Sequence, residues 1–336
     1  MAINTTGPIS IGRIVTEFGG TAPHSLSEYY RNGPFVTSNN TGIPTAGTIR
    51  LSNFYGAVNL FIFNITEDVQ EINLRTYLLA RGWGGNAPVQ LSLAAGRYLW
   101  SDSTAIPAVT TGAFPGGLIF TNNGFIMGKG GAGGDSVNPA GRAGGPALSA
   151  TTNFAIINNG YIAGGGGGGA AYLREFYSGG GGGAGGGKGG PDSRWGAGFG
   201  GTGDGGAIGQ LGAAGTGAET AYNGAGGSAG GGGGGYNQRD FGTDYSAGGG
   251  GGGRIFPGTR TVSRGEGAGY GGGSNEAGGD RVAGSRGASG GGGWGADGGD
   301  QGTAGPFGGA GGPAIVRNGF IVNIQDPLGQ VWGAIR

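Results

Sequence analysis

Residues able to do covalent or metal chemistry are sparse in this chain. There is no cysteine and one histidine, His24, so disulfides, Cys-ligated metals and histidine-activated nucleophiles have almost nothing to be built from. His24 sits in a small N-terminal segment, where packing or surface exposure is its expected role. No Gly-Lys-Ser/Thr phosphate loop, Gly-x-Ser-x-Gly elbow or His-Glu-x-x-His pair occurs. The many Gly-x-Gly-x-x-Gly matches follow from composition. Gly292-Gly293-Trp294-Gly295-Ala296-Asp297 matches the start of a calcium-binding nonapeptide, but once only, and Gly299 stands where the repeat wants a bulky aliphatic residue. Asp240 and Asp244 offer a carboxylate pair of the kind used in glycan hydrolysis, with nothing to single them out. The chain reads as a non-enzyme without cofactors or metals.

Chemistry for non-covalent binding is denser. Three short inserts carry Tyr172, Arg174, Phe176 and Tyr177; Tyr236, Arg239, Phe241 and Tyr245; and Arg254, Phe256, Arg260 and Arg264. Tyrosine, tryptophan and arginine dominate binding hot spots, and tyrosine among Ser, Gly and Asn is the composition of antibody-type contact loops. These twelve residues are candidate contacts for a partner surface. The competing reading has the aromatics merely covering the flanks of whatever carries them.

What must carry them is mostly glycine. The chain has 95 glycines in 336 residues, roughly four times the ~7% usual in proteins; 16 lie in residues 1–127, 76 in 128–312 and 3 in 313–336. Collagen is excluded by uninterrupted six-glycine runs and only 14 prolines. A flexible linker would lack the aromatics, and an RNA-binding tail would carry Arg-Gly-Gly repeats and excess positive charge. The remaining reading is an array of polyglycine II helices. Each has three residues per turn and no internal hydrogen bonds, so neighbours must satisfy one another's backbones, which only glycine lets approach closely enough. If successive tracts run antiparallel, 172–178 and 254–264 emerge at one end and 236–246 at the other, unless the tract at 179–190 hides a turn.

The flanks are more conventional, and the chain divides into 1–57, 58–127, 128–312 and 313–336. Residues 1–57 predict three short helical turns, at Ile9–Val15, Ser25–Tyr30 and Arg50–Gly56, with Ser25 and Glu28 as a capping box. Residues 58–127 predict a small α+β module: a strand over 59–65, a helix from Asp68 to Gly82, then strands at 89–93 and 98–100. An Asn-Gly motif recurs at Leu118–Ile126, Phe154–Ile162 and Ala314–Ile321, as hairpins or as stacked corners of one β structure. The fold class is thus mostly irregular and β: a helical N-terminal module, an α+β module, and a polyglycine II array flanked by short strands. A formal net charge of zero gives no electrostatic reason for nucleic acid or an anionic membrane as partner. The N-terminus lacks a secretory signal, and the longest apolar run, residues 58–65, is far short of the ~20 residues that span a bilayer. A soluble, cytoplasmically made product is expected.

The tract-and-insert pattern of residues 128–312 resembles the receptor-binding tip adhesins on the long tail fibres of T-even-type bacteriophages. Gly7-Pro8-Ile9-Ser10, Ser25-Leu26-Ser27-Glu28-Tyr29-Tyr30 and Leu51-Ser52-Asn53-Phe54-Tyr55-Gly56 are similar to a short module at the start of many phage virion proteins. Asn73-Leu74-Arg75-Thr76 with Gly82-Trp83 is similar to phage glycine-rich tail proteins. The N-terminal half departs from the attachment domain of the T-even tips. The resemblance implies a virion tail protein attached to other tail proteins through residues 1–57. Its loops would bind a bacterial outer-surface protein or polysaccharide, on a monomer or an oligomer with a trimer favoured. A purely structural virion fitting is the alternative.

Overall fold

The computed structural model describes residues 2–172, 178–191, 203–213, 232, 249–256, 269–280, 287–302, 305–328 and 330–336, and the backbone of 238–240 and 243–245. Three structural parts succeed one another from the N-terminus: a small helical cluster, a parallel β-coil and a glycine array inserted into that coil.

Residues 3–57 close over their own core of Ile3, Ile14, Phe18, Tyr29, Val36, Ile43, Phe54 and Ala57. Helix α1 (Ile11–Phe18) starts at Ser10, whose hydroxyl accepts from the Arg13 N–H. The Ser25–Glu28 capping box heads a 3₁₀ turn at Leu26–Tyr29, and a second turn spans Leu51–Phe54, so all three expected helical turns are present. This cluster also covers one end of the β-coil. Asn39 both donates to the Ile62 carbonyl and accepts from the Ile62 N–H, and the Thr37 hydroxyl donates to the Leu60 carbonyl. Side chains thereby satisfy an edge strand that would otherwise be open to stray pairing.

The coil is built from strands that return to the same three sheets. Sheet one holds β1 (Phe61–Ile65), β4 (Val89–Leu93), β7 (Leu118–Asn122), β10 (Phe154–Asn158) and β15 (Val322–Gln325) in that order. Sheet two holds β2 (Val69–Gln70), β5 (Tyr98–Trp100), β8 (Phe125–Met127), β11 (Tyr161–Ala163) and β16 (Val331–Trp332). Sheet three holds β3 (Ile72–Asn73), β6 (Val109–Thr110), β9 (Leu148–Ser149) and β14 (Ile315–Val316). All pairings within these sheets are parallel. Each coil stacks on the one before, and alternate residues such as Phe61, Leu91, Phe120 and Ile156 fill the interior.

Stacked corners, rather than hairpins, are therefore the outcome for the Asn-Gly motifs. Asn122 donates to the Asn158 side-chain oxygen at 2.7 Å and accepts from the Gly124 N–H, and Asn158 in turn donates to Asp326 at 2.9 Å. A Cβ on Gly160 would strike the Gly124 carbonyl below it, which fixes glycine at the corner. The third copy is out of register with the expectation: Ile315 pairs with Leu148 in sheet three, and the true third rung is Val322–Asp326. The helix expected over 68–82 is also cut short. Residues 69–70 and 72–73 pair as strands, and only α2 (Leu74–Leu79) is helical, capped by Asn73. We predict that Asn158→Ala costs about 2–3 kcal/mol, because it strips a fully buried amide partner from Asn122 and removes the side-chain donor to Asp326, whose carboxylate keeps, among the described residues, only the Gln330 N–H. Urea unfolding followed by tryptophan fluorescence measures this, and Asn158→Asp at low pH should recover part of it.

Glycine segments leave the coil twice, after β8 and after β11, and return each time to sheet three, so β9, β10 and β11 lie between the two excursions. Segment 164–171 shows the bonding rule. Gly165 and Gly168 donate to Gly145 and Arg142, Gly166 and Gly169 to Ala184 and Gly181, and Gly167 and Ala170 to Ala296 and Gly299. It accepts in turn from Gly131 and Gly134, from Gly292 and Ser289, and from Gly309 and Gly312. Each N–H thus meets a different neighbour and the same neighbour recurs every third residue, with six segments around one.

Candidate functional site

The hydrogen-bond register gives the array two distinct ends. Next to the coil, Gly128 donates to Ala163, Gly164 to Trp332, Gly295 to Gly164 and Gly185 to Gly253. At the opposite end, Ala171 donates to Pro139, Gly190 to Gly180, Ser289 to Ala170 and Gly299 to Gly290, and the Asp300 N–H donates to the Asp280 carboxylate.

The far end collects the flanks of the polar inserts. Tyr172 and Ser178 exchange backbone hydrogen bonds of 3.1 and 3.3 Å, closing the base of insert 173–177. Beside them lie the turn at Asp135–Pro139, with the Asp135 carboxylate accepting from the Val137 and Asn138 N–H groups, and the flanks of 281–286 and 303–304. The buried Gln301 amide ties this end together by donating to the Ala170 carbonyl and the Ser289 hydroxyl.

The coil-side end is a packed junction. Tyr98, Phe125 and Tyr161 stack up sheet two with centroids 4.7 and 5.6 Å apart, and Phe256 and Trp294 lie over them, 4.3 Å from each other. The Trp294 indole donates to the Ile255 carbonyl. Arg254 is 3% exposed. Its guanidinium is held by the Asp102 carboxylate, the Ser101 carbonyl and the Gly185 carbonyl, and lies 5.2 Å from the Trp100 ring centre. Lys129 reaches the same carboxylate at 3.3 Å. Burial works to raise the Asp102 pKa, but the hydrogen bond and charge of Arg254, with Lys129, hold it below its ordinary value. Lys129 is pushed down, first by burial and then by the Arg254 charge facing it.

The sequence candidates divide accordingly. Tyr172 stands at the far end. Arg239 and Tyr245 lie in an antiparallel pair, β12 (Gln238–Asp240) with β13 (Thr243–Tyr245), of which the backbone is described; Asp240 and Asp244 belong to the same backbone pair. Arg174, Phe176, Tyr177, Tyr236, Phe241, Arg260 and Arg264 lie outside the described residues. Arg254 and Phe256 are corrected: they lie at the coil end, opposite Tyr172, and are occupied in packing. The cause is a turn at 184–186, with Gly185 and Gly186 at φ +96° and +76°, that reverses the chain inside the tract 179–190. Trp294 of the calcium-repeat match is a buried packing residue, and Asp297 accepts from the Gly311 N–H. His24 lies 3.4 Å from the Tyr29 hydroxyl within the N-terminal cluster. Among the described residues there is no group of three or more acidic, His or Cys side chains fit to hold a metal, and no helix long and apolar enough to cross a membrane. Asp102 and Lys129 gave no signal in the sequence, since their partner lies more than a hundred residues away.

The family model of the phage tail fibre adhesin Gp38 matches residues 60–230. Among solved structures, the chain is similar to one in the crystal structure of the gp37-gp38 adhesin tip complex of the bacteriophage S16 long tail fiber, with 21% identity over 99% of this chain and 100% of that chain, and a TM-score of 0.45. No curated protein matches it.

Proposed function

We propose, from the premise that the chain belongs to the Gp38 family of phage tail fibre adhesins, that it contacts a bacterial surface receptor through the inserts at the far end of the glycine array. Family membership makes it a component of the virion tail. In this reading the array is a bundle of polyglycine II helices, supported by the three-residue return of hydrogen bonds to each of six neighbours around residues 164–171. Such a bundle has no side chains between its members and holds its loops on a rigid base, which lowers the entropy lost on binding. The observation that carries the proposal is the gathering of the flanks of 173–177, 281–286 and 303–304 at the end remote from the coil. The contact set is Tyr172, Arg174, Phe176, Tyr177, Tyr236, Arg239, Phe241, Tyr245, Arg260 and Arg264. The receptor is an outer-surface protein or polysaccharide.

Residues 1–57 serve attachment to other tail proteins, a reading supported by Ile11, Leu51 and Tyr55, large apolar side chains exposed on that small cluster. A trimer is favoured over other oligomers. The protein is made in the host cytoplasm and carries no cofactor, nucleic acid or membrane insertion.

Replacing residues 173–177 and 281–286 with Gly-Ser segments of equal length is expected to reduce adsorption of phage to host cells at least about tenfold, the loss of one or two hot-spot residues, while virions still assemble. Unchanged adsorption by assembled virions would overturn the receptor role and leave a structural fitting.

A further inference from the structure

A cleft of about 430 Å³ opens between the coil and the array, on the side away from the far-end inserts, lined by Trp100, Asp102, Lys129, Ala207, Ile208 and Arg254. That size accommodates a small ligand. Its charges do not cancel: among the lining side chains Lys129 and Arg254 both meet the single carboxylate of Asp102, two cations against one carboxylate. Lys129 spends one of its three N–H donors on Asp102, at 3.3 Å. Asp102 is 46% exposed, so part of its carboxylate still faces the opening. A bare multivalent anion would gain from the two cations but be repelled by that carboxylate. A ligand with one carboxylate and several hydroxyls fits both: its charge is met by Lys129, with the positive charge of the buried Arg254 behind it, its hydroxyls donate to the exposed part of Asp102, and Trp100 and Ile208 supply apolar wall for the faces of a sugar ring.

We infer that this cleft is a binding site for an acidic sugar of the uronic acid class, separate from the far-end inserts. Binding would bring a counter-charge to Lys129, whose ammonium is crowded by burial and by Arg254. The site would let the tip hold a uronate-containing surface polysaccharide along its side.

The test is calorimetric titration of the full chain with glucuronate and galacturonate, against methyl glucoside and inorganic phosphate as probes. The uronates are expected to bind, the neutral glucoside not to bind, and phosphate to bind at least about tenfold more weakly, the scale of one charge-assisted hydrogen bond. Lys129→Met is expected to weaken uronate binding by about tenfold or more. Because that change also alters a partly buried charge, Ala207→Trp is the second variant: Ala207 is exposed at the rim, so the fold and melting temperature should hold while the cleft is filled. No uronate binding, equal binding of glucoside or phosphate, or wild-type uronate binding by both folded variants would each overturn the assignment.

Discussion

Replacing Gly167 with alanine is expected to prevent the glycine array from forming. Gly167 lies in the segment surrounded by six others, donating to Ala296 and accepting from Gly292. A Cβ there would fall on the Gly309 carbonyl oxygen, well inside any separation that real atoms adopt. Backbone on both sides means nothing can swing away, as a flexible side chain could. Relief requires pushing segment 309–312 outward, which breaks the bonds from Gly309 and Gly312 to Gly168 and Gly165. Losing several buried backbone hydrogen bonds together exceeds about 5 kcal/mol, comparable with the whole stability of a domain. The measurement is soluble yield and resistance to a protease with broad specificity; a Gly167→Ala protein that melts within a few degrees of wild type would contradict the packing. The same substitution at Gly12 is the control. Gly12 lies in α1, where the added Cβ meets only the Ser10 hydroxyl at 3.7 Å, and Gly→Ala in a helix is favourable by up to about 1 kcal/mol.

Local signals were legible in the sequence to the extent that their physics is local. The Ser25–Glu28 capping box involves residues three apart, and it forms as read. The Asn-Gly corners were recognisable because side chain and turn sit together at Asn122 and Gly124. Which copy stacks on which was not, because parallel pairing joins Ile156 to Ile324 across the whole array and leaves no mark on either strand. The helix from Asp68 failed for the same reason: Val69 and Ile72 have helical spacing, but pairing with Leu99 and Val109 in two sheets takes them first. The turn at 184–186 was hidden by composition. Glycine reverses direction without any residue to announce it, and that one reversal moved Arg254 from the expected loop surface to the junction. An arginine in a glycine-rich insert looks like a contact residue until the carboxylate that buries it is located, and Asp102 stands in an unremarked stretch between β5 and β6.

That carboxylate carries the second large effect. Asp102→Ala is expected to destabilise the protein by about 3 kcal/mol, the lower end for breaking a buried pair, since Asp102 itself is 46% exposed and partly screened. The asymmetry between partners is the sharper prediction. Removing Asp102 strands a guanidinium whose side chain is 4% exposed, with only the Ser101 and Gly185 carbonyls and the Trp100 ring to meet it. Arg254→Met instead removes the buried charge, keeps apolar contact with Trp100, and leaves a carboxylate that solvent and Lys129 can satisfy. It should therefore cost less than Asp102→Ala, and adding Arg254→Met to Asp102→Ala should recover stability rather than compound the loss. Acid provides the same test without mutation. The folded pKa of Asp102 lies below its unfolded value, so the pair's contribution is complete above the unfolded carboxylate pKa and is lost as pH falls through the folded one. Thermal melts from pH 6 down to about pH 3 should show wild type losing more stability than Asp102→Ala over that window. Equal slopes for the two proteins would mean that Asp102 is not what holds Arg254 in the junction.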